Sequence, residues 1–254
     1  MKKIIIKGEC LTNYCGKIEI SPARRLVMNF FDNGKPGTEI PLALNNARTE
    51  NHTITIANKI RVVEHLFSAL YGLEIFKVKI DFYSNEVPFF DGSSSEFVKI
   101  LSEFCPEQNS EYYMVNKKIS IEDKNAFIVY DPTDDNQLLI EMELEHPYIG
   151  KQHFRQTIDR DTYISEIARA RTFVFTDESD PRLKNLPPYG IGITKNGIHS
   201  REPLRFPDEP VRHKILDLLG DLYFLQKKLY GKIKARNTSH KLNLGFVRKL
   251  LSIQ

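Results

Sequence analysis

The spacing of apolar positions changes period several times along the chain. Short runs rich in Ile, Val and Phe at 3–7, 17–20, 26–30 and 53–56, bounded by Gly, Pro or Asn, predict strands. Asn33-Gly34 and Pro36-Gly37 are turn signals between them. Ile60, Val63, Leu66, Phe67 and Leu70 then fall on one helical face, and Gly72 is placed to cap that helix. Residues 76–82 alternate as a strand, and 93–104 form a second helical segment. A polar run at 106–111 marks a boundary. The second half repeats the order, with strands at 113–121, 126–130 and 138–144 and a helix at 162–168. A Pro- and Gly-rich loop at 180–207 precedes the longest helix, 210–229. Asp208 is its expected N-cap, and Pro210 lies in its first turn. A strand at 232–236 and a helix from Leu242 close the chain. Each half is a sheet with helices packed on it, so the fold class is α+β, with domains at 1–108 and 109–254.

The 254 residues suffice for two such cores. A net charge of +3 is too mild to argue for a nucleic-acid partner. Cys10, Cys15 and Cys105 are too few and too scattered for a disulfide framework and suit a reducing compartment. The apolar run Ile4-Ile5-Ile6 is too short for a signal peptide, and no stretch reaches membrane-span length. The expected location is cytoplasmic.

Four segments could carry chemistry. Glu64-His65 sits among apolar neighbours on a helix, either as a satisfied pair or with one residue on a metal and the other near its water. His213, Asp217 and Asp221 are four residues apart and share a helical face. They form either a solvated ladder with Arg212 and Lys214 or part of a chelate. His65, His213 and Asp217 together would offer three N/O ligands with an open fourth position, the pattern of a catalytic zinc. Glu64 would then be the base for water, and His240, partnered by Asp221, an acid for a leaving amine. His240 is equally readable as a surface loop residue. Thr172, beside Phe173 and Phe175, could donate to an oxyanion or simply edge a strand.

The order of these motifs resembles the UDP-3-O-acyl-N-acetylglucosamine deacetylases, zinc enzymes of bacterial lipid A synthesis. The matching stretches are Val63-Glu64-His65-Leu66, Glu86-Val87-Pro88 with Asp91-Gly92-Ser93-Ser94, Ala168-Arg169-Ala170-Arg171-Thr172-Phe173, Val211-Arg212-His213-Lys214-Ile215-Leu216-Asp217 with Gly220-Asp221-Leu222, and Ser239-His240-Lys241-Leu242-Asn243. The resemblance implies two similar layered α+β domains with the active site between them. It implies Zn2+ on His65, His213 and Asp217, Glu64 as general base, and His240 as general acid with Asp221. It also implies Lys214 and Thr172 as oxyanion stabilisers, Phe173 and Phe175 along the substrate, and an acylated UDP-amino sugar as that substrate. The chain departs from the pattern at its N-terminal motif, Gly8-Glu9-Cys10-Leu11-Thr12-Asn13-Tyr14-Cys15-Gly16, which has no histidine. It departs again before His240, where Asn237 and Ser239 replace the usual basic residue and glycine. The alternatives are a deacetylase of another N-acyl amino sugar and an inactive zinc-containing binding homologue.

Overall fold

A computed structural model describes residues 3–12, 15–32, 35, 37–50, 52–104, 111–186 and 190–253. The Asn33-Gly34 turn, Pro36, Cys105, most of the polar run at 106–111 and Pro187-Pro188 lie outside these residues.

The N-terminal half is built on a five-stranded sheet in the order Ile4–Glu9, Cys15–Pro22, Val78–Phe82, Val27–Phe30, Thr38–Glu39. Pairing Ile4 with Ile20 and Ile6 with Ile18 puts one set of β-branched side chains on a single buried face. A smaller three-stranded sheet, Ala47–Glu50, Thr53–Ile56 and Ile60–Arg61, leads into helix α1 (Glu64–Gly72), all of whose residues are buried. Helix α2 (Ser95–Ser102) follows.

The C-terminal half has its own five-stranded sheet, ordered Ile119–Asp123, Ala126–Asp131, Gly231–Arg236, Leu138–His146, Gly150–Ile158. Gly231–Arg236 and Leu138–His146 run parallel at its centre. Helix α3 (Arg160–Thr162) starts in a capping box with Asp159 and continues as a π-helical turn, Tyr163–Ile167. Helices α4 (Glu209–Leu222) and α5 (His240–Leu251) complete the layer. One hydrophobic cluster runs through both halves, from Ile4 to Leu250. No described helix is long and apolar enough to cross a membrane.

Several boundaries differ from expectation. Ile60 is a strand residue, so α1 begins at Glu64; Gly72 is its last residue, and Leu73 is the cap. Gly72 is small for a packing reason, because a Cβ there would meet the Tyr163 ring at 2.2 Å. The long helix stops at Leu222 and tightens into a 3-10 turn, Tyr223–Leu225, closed by left-handed Gln226. Asp208 occupies the N-cap, but its carboxylate takes Arg212 at 2.6 Å instead of a backbone amide. Strand Gly150–Ile158 carries no apolar alternation in the sequence, because its side chains are mostly polar and it lies at a sheet edge. The segment 180–207 is not one loop. It holds a 3-10 turn, Pro181–Asn185, and strands Ile191–Thr194 and Gly197–Ser200, which join Phe173–Phe175 in a three-stranded sheet.

Candidate metal centre and active site

The site is made by two helices that approach more closely than side chains normally allow. A Cβ on Gly220 of α4 would lie 2.3 Å from the Glu64 carbonyl oxygen of α1. Glycine therefore lets the backbones touch and brings the start of α1 against one face of α4. Val62 turns the chain into α1 from a left-handed conformation (φ 61°), which a β-branched residue rarely adopts. The Val62 N–H donates to the Ile54 carbonyl at 2.9 Å, and the Ile54 N–H donates to Glu64 Oε2 at 3.1 Å. The Glu64 carboxylate is thus tied back to the hairpin that precedes it.

His65, His213 and Asp217 meet at this crossing. One ligand atom from each lies within 4.8 Å of the others, and all three residues are buried. Among the described residues it is the one such group. The 3.6-residue helical repeat explains why His213 and Asp217 share a face, with Nε2 and Oδ1 3.3 Å apart. His213 Nδ1 donates to the Ala170 carbonyl at 3.0 Å, which turns Nε2 toward Asp217. The His65 ring stands edge-on to His213, centroids 5.2 Å apart, and its buried Nδ1 has no protein partner among the described residues. Burial and the neighbouring His213 push His65 down to about 3, so its imidazole is neutral. Burial opposes the charge on Asp217, but Lys214, His213 and His240 outweigh it and hold the carboxyl well below the usual carboxylate range. Two imidazoles and an anionic carboxylate fit a divalent transition metal.

Glu64 and His240 flank this cluster. Burial pushes the Glu64 carboxyl up to about 7, against the pull of His240. His240 opens α5, where Ser239 Oγ accepts from the Leu242 N–H at 3.3 Å. Asp221 Oδ2 accepts from His240 Nδ1 at 2.8 Å and from Asn243 Nδ2 at 2.8 Å. His240 Nε2 faces Asp217 Oδ1 at 3.9 Å. Burial disfavours a charged ring, yet Asp221 and Asp217 outweigh it and raise His240 well above the usual imidazole range. The Lys214 ammonium sits 2.9 Å from Asp217 Oδ2. A buried carboxyl, a protonated imidazole and a lysine converge on one small volume.

Residues 4–252 match the family model described as LpxC: UDP-3-O-acyl N-acetylglycosamine deacetylase. The chain belongs to this family. It is 33% identical over 242 residues to a UDP-3-O-acyl-N-acetylglucosamine deacetylase of Aquifex aeolicus, covering 89% of this chain and 82% of the relative. A Coxiella burnetii protein of the same name is 33% identical over 76% of this chain and 68% of its own length. One from Pseudomonas entomophila is 32% identical over 85% and 76%.

Within this family member the remaining expected residues lie at graded distances. The Thr172 N–H donates to the Gly92 carbonyl at 2.8 Å, and its methyl fills the space a Gly92 side chain would need. Phe173 lies 6.2 Å from the His213 ring, with Lys214 Nζ 5.9 Å above it. Phe175 is one step further out, 5.3 Å from Phe173 and stacked on His146 at 3.6 Å.

Sequence reasoning gave no role to three groups. Arg171, wholly buried, donates through its backbone N–H and Nε to Glu209 Oε1, each at 2.9 Å, and through Nη2 to Oε2 at 3.1 Å. This clamp fixes the residue after Ala170, whose carbonyl orients His213. Ser94 Oγ donates to the His65 carbonyl at 2.9 Å. Asn243 completes the Asp221 pair. All three lie inside or beside the quoted motifs, but the partners of Arg171 and Ser94 are 38 and 29 residues away.

Proposed function

We infer that this chain hydrolyses the N-acetyl group of UDP-3-O-acyl-N-acetylglucosamine, the deacetylation of lipid A synthesis. The supporting observation is the cluster in which His65, His213 and Asp217 lie between a buried carboxyl, Glu64, and the His240–Asp221 pair. These three residues would hold a zinc ion, which supplies a Lewis acid that activates water near neutral pH and polarises the amide carbonyl. Glu64 accepts the proton of the attacking water. Lys214 and Thr172 stabilise the oxyanion that develops on the amide oxygen. His240 then gives the proton on Nε2 to the departing amine, and Asp221, itself held by Asn243, fixes its ring through Nδ1. Acetate and a free amino sugar result. Phe173 and Phe175 line the approach. Residues 1–108 and 109–254 form the two domains, and the reaction runs in the cytoplasm, where the free thiols Cys10 and Cys15 stay reduced.

The test is acetate release from UDP-3-O-acyl-N-acetylglucosamine by zinc-loaded protein, with chelator-treated protein as control. Metal-dependent release is expected. Release from a soluble N-acetyl amino sugar, with none from the acylated nucleotide, would overturn the substrate assignment.

A further inference from the structure

The turn that delivers His240 rests on an unusual end to the central parallel strand pair. Arg236 pairs with Glu143, and the Asn237 N–H donates to the Glu143 carbonyl at 3.0 Å. In a regular parallel ladder the next rung would run from the Glu145 N–H to the Asn237 carbonyl. Here the side chain takes that place, and Asn237 Oδ1 accepts from the Glu145 N–H at 2.8 Å. The backbone of Asn237 is released into the left-handed region, φ 49°, where asparagine is among the few tolerated residues. Two residues later Ser239 caps α5, and His240 is the first helical residue. Buried Thr238, between them, packs its hydroxyl 4.0 Å from Met142 Sδ of the partner strand.

We propose that Asn237 is a positioning residue for His240, its side-chain oxygen ending the strand ladder and its left-handed backbone setting where α5 begins. The proposal rests on the deacetylase reading above. A lysine here, the kind of residue the family pattern favours, has no acceptor for the Glu145 N–H and resists positive φ. Position 237 in this chain therefore serves the turn and not the charge of a substrate.

Four variants test this: Asn237→Ala, Asn237→Gly, Asn237→Asp and Asn237→Lys. Metal content and melting temperature are measured first, and turnover is measured well below melting. Asn237→Ala loses both acceptor and tolerance of the turn, so kcat is expected to fall by about tenfold or more, with KM changed by less than about threefold. Asn237→Gly keeps the backbone and recovers part of kcat. Asn237→Asp keeps both features and recovers most of it. Asn237→Lys behaves as Asn237→Ala. Two further readouts need no turnover: exchange protection of the Glu145 amide and the ring-nitrogen shifts of His240. Both should change in Asn237→Ala and return in Asn237→Asp. Wild-type kcat in Asn237→Ala, or a lowered KM with unchanged kcat in Asn237→Lys, overturns the proposal. Absence of acetate release by the wild-type chain would instead refute the substrate reading, and the exchange and shift measurements would still judge the turn.

Discussion

Two regions of the molecule use the same side chains to opposite ends. The open face of the C-terminal sheet alternates Glu141, Glu143 and Glu145 with Lys151, His153 and Arg155 on one neighbour and Lys232, Lys234 and Arg236 on the other. The α1–α4 crossing also gathers histidine, carboxylate and lysine. On the sheet the carboxylates are half-buried, and register brings exposed cations over them: Glu141 has Lys234 at 3.0 Å and His153 at 3.6 Å, and Glu143 has Lys151 at 3.1 Å. At the crossing the charges are buried and unevenly matched. Asp221 Oδ1, Asn243 Oδ1 and His65 Nδ1 are left without hydrogen-bond partners among the described residues. The sheet has one such atom, Arg236 Nε, and the crossing has three within one set of touching side chains; this concentration sets the crossing apart, because an unsatisfied buried group is costly unless something else completes it.

The sharpest break of this comparison is Glu64→Ala. If the crossing is reactive, kcat falls by about 10²–10⁴ while metal content is retained, which zinc analysis and steady-state turnover would show. A loss below tenfold would make Glu64 a structural carboxyl like those on the sheet. Next is Glu209→Ala, which strands the buried Arg171 guanidinium. Breaking such a pair costs about 3–5 kcal/mol, read as a lowered denaturant midpoint. Because Ala170 orients His213, metal affinity should drop with it, and unchanged affinity would sever that link. A smaller effect is expected for Gly220→Ala, whose Cβ must push α4 off the Glu64 carbonyl. Overpacking of this kind costs about 1–3 kcal/mol. Melting temperature and metal affinity should fall together; a fall in the first alone would show that the helices separate without opening the ligand set.

How much of this was legible in the sequence depends on distance along the chain. His213, Asp217 and Asp221 were legible as one face because helical spacing alone puts them there. His240 was legible only as a loop residue ahead of a helix expected from Leu242, whereas the helix begins at His240 itself with Ser239 as its cap. That α1 meets α4 could not be read from spacing: 148 residues separate His65 from His213, and only the chemistry of a three-ligand set and the family order of motifs suggested joining them. The contact itself depends on Gly220, a residue whose function is to present nothing. The Arg171–Glu209 clamp was hidden for the same reason of separation. In the fold, Ile- and Val-rich strands were clear because burial on one face enforces alternation. Gly150–Ile158 was not, since an edge strand facing solvent needs no apolar face. The strands inside 180–207 were masked by the prolines and glycines around them.

The mildest prediction concerns the sheet. Glu141→Gln should cost less than about 1 kcal/mol and leave turnover and metal content unchanged, since its partners Lys234 and His153 are exposed and pairs with such mobile, solvated cations contribute little. Its signature lies in pH. The hydrogen bond from Lys234 holds the Glu141 carboxyl below the ordinary glutamate range, and nearby Lys232 and His153 add to this. A carboxyl whose folded pKa is depressed stabilises the fold above its unfolded pKa and loses that contribution as pH falls through the folded value. The variant's deficit should therefore be present at neutral pH and shrink on acidification below the usual glutamate range. It should also shrink in about 1 M salt, where exposed charges are screened within about 3 Å. Urea midpoints across pH at low and high salt would show this. A deficit insensitive to both would mean that Glu141 is buried in the same sense as Glu64, and the contrast between the two regions would lose its physical basis.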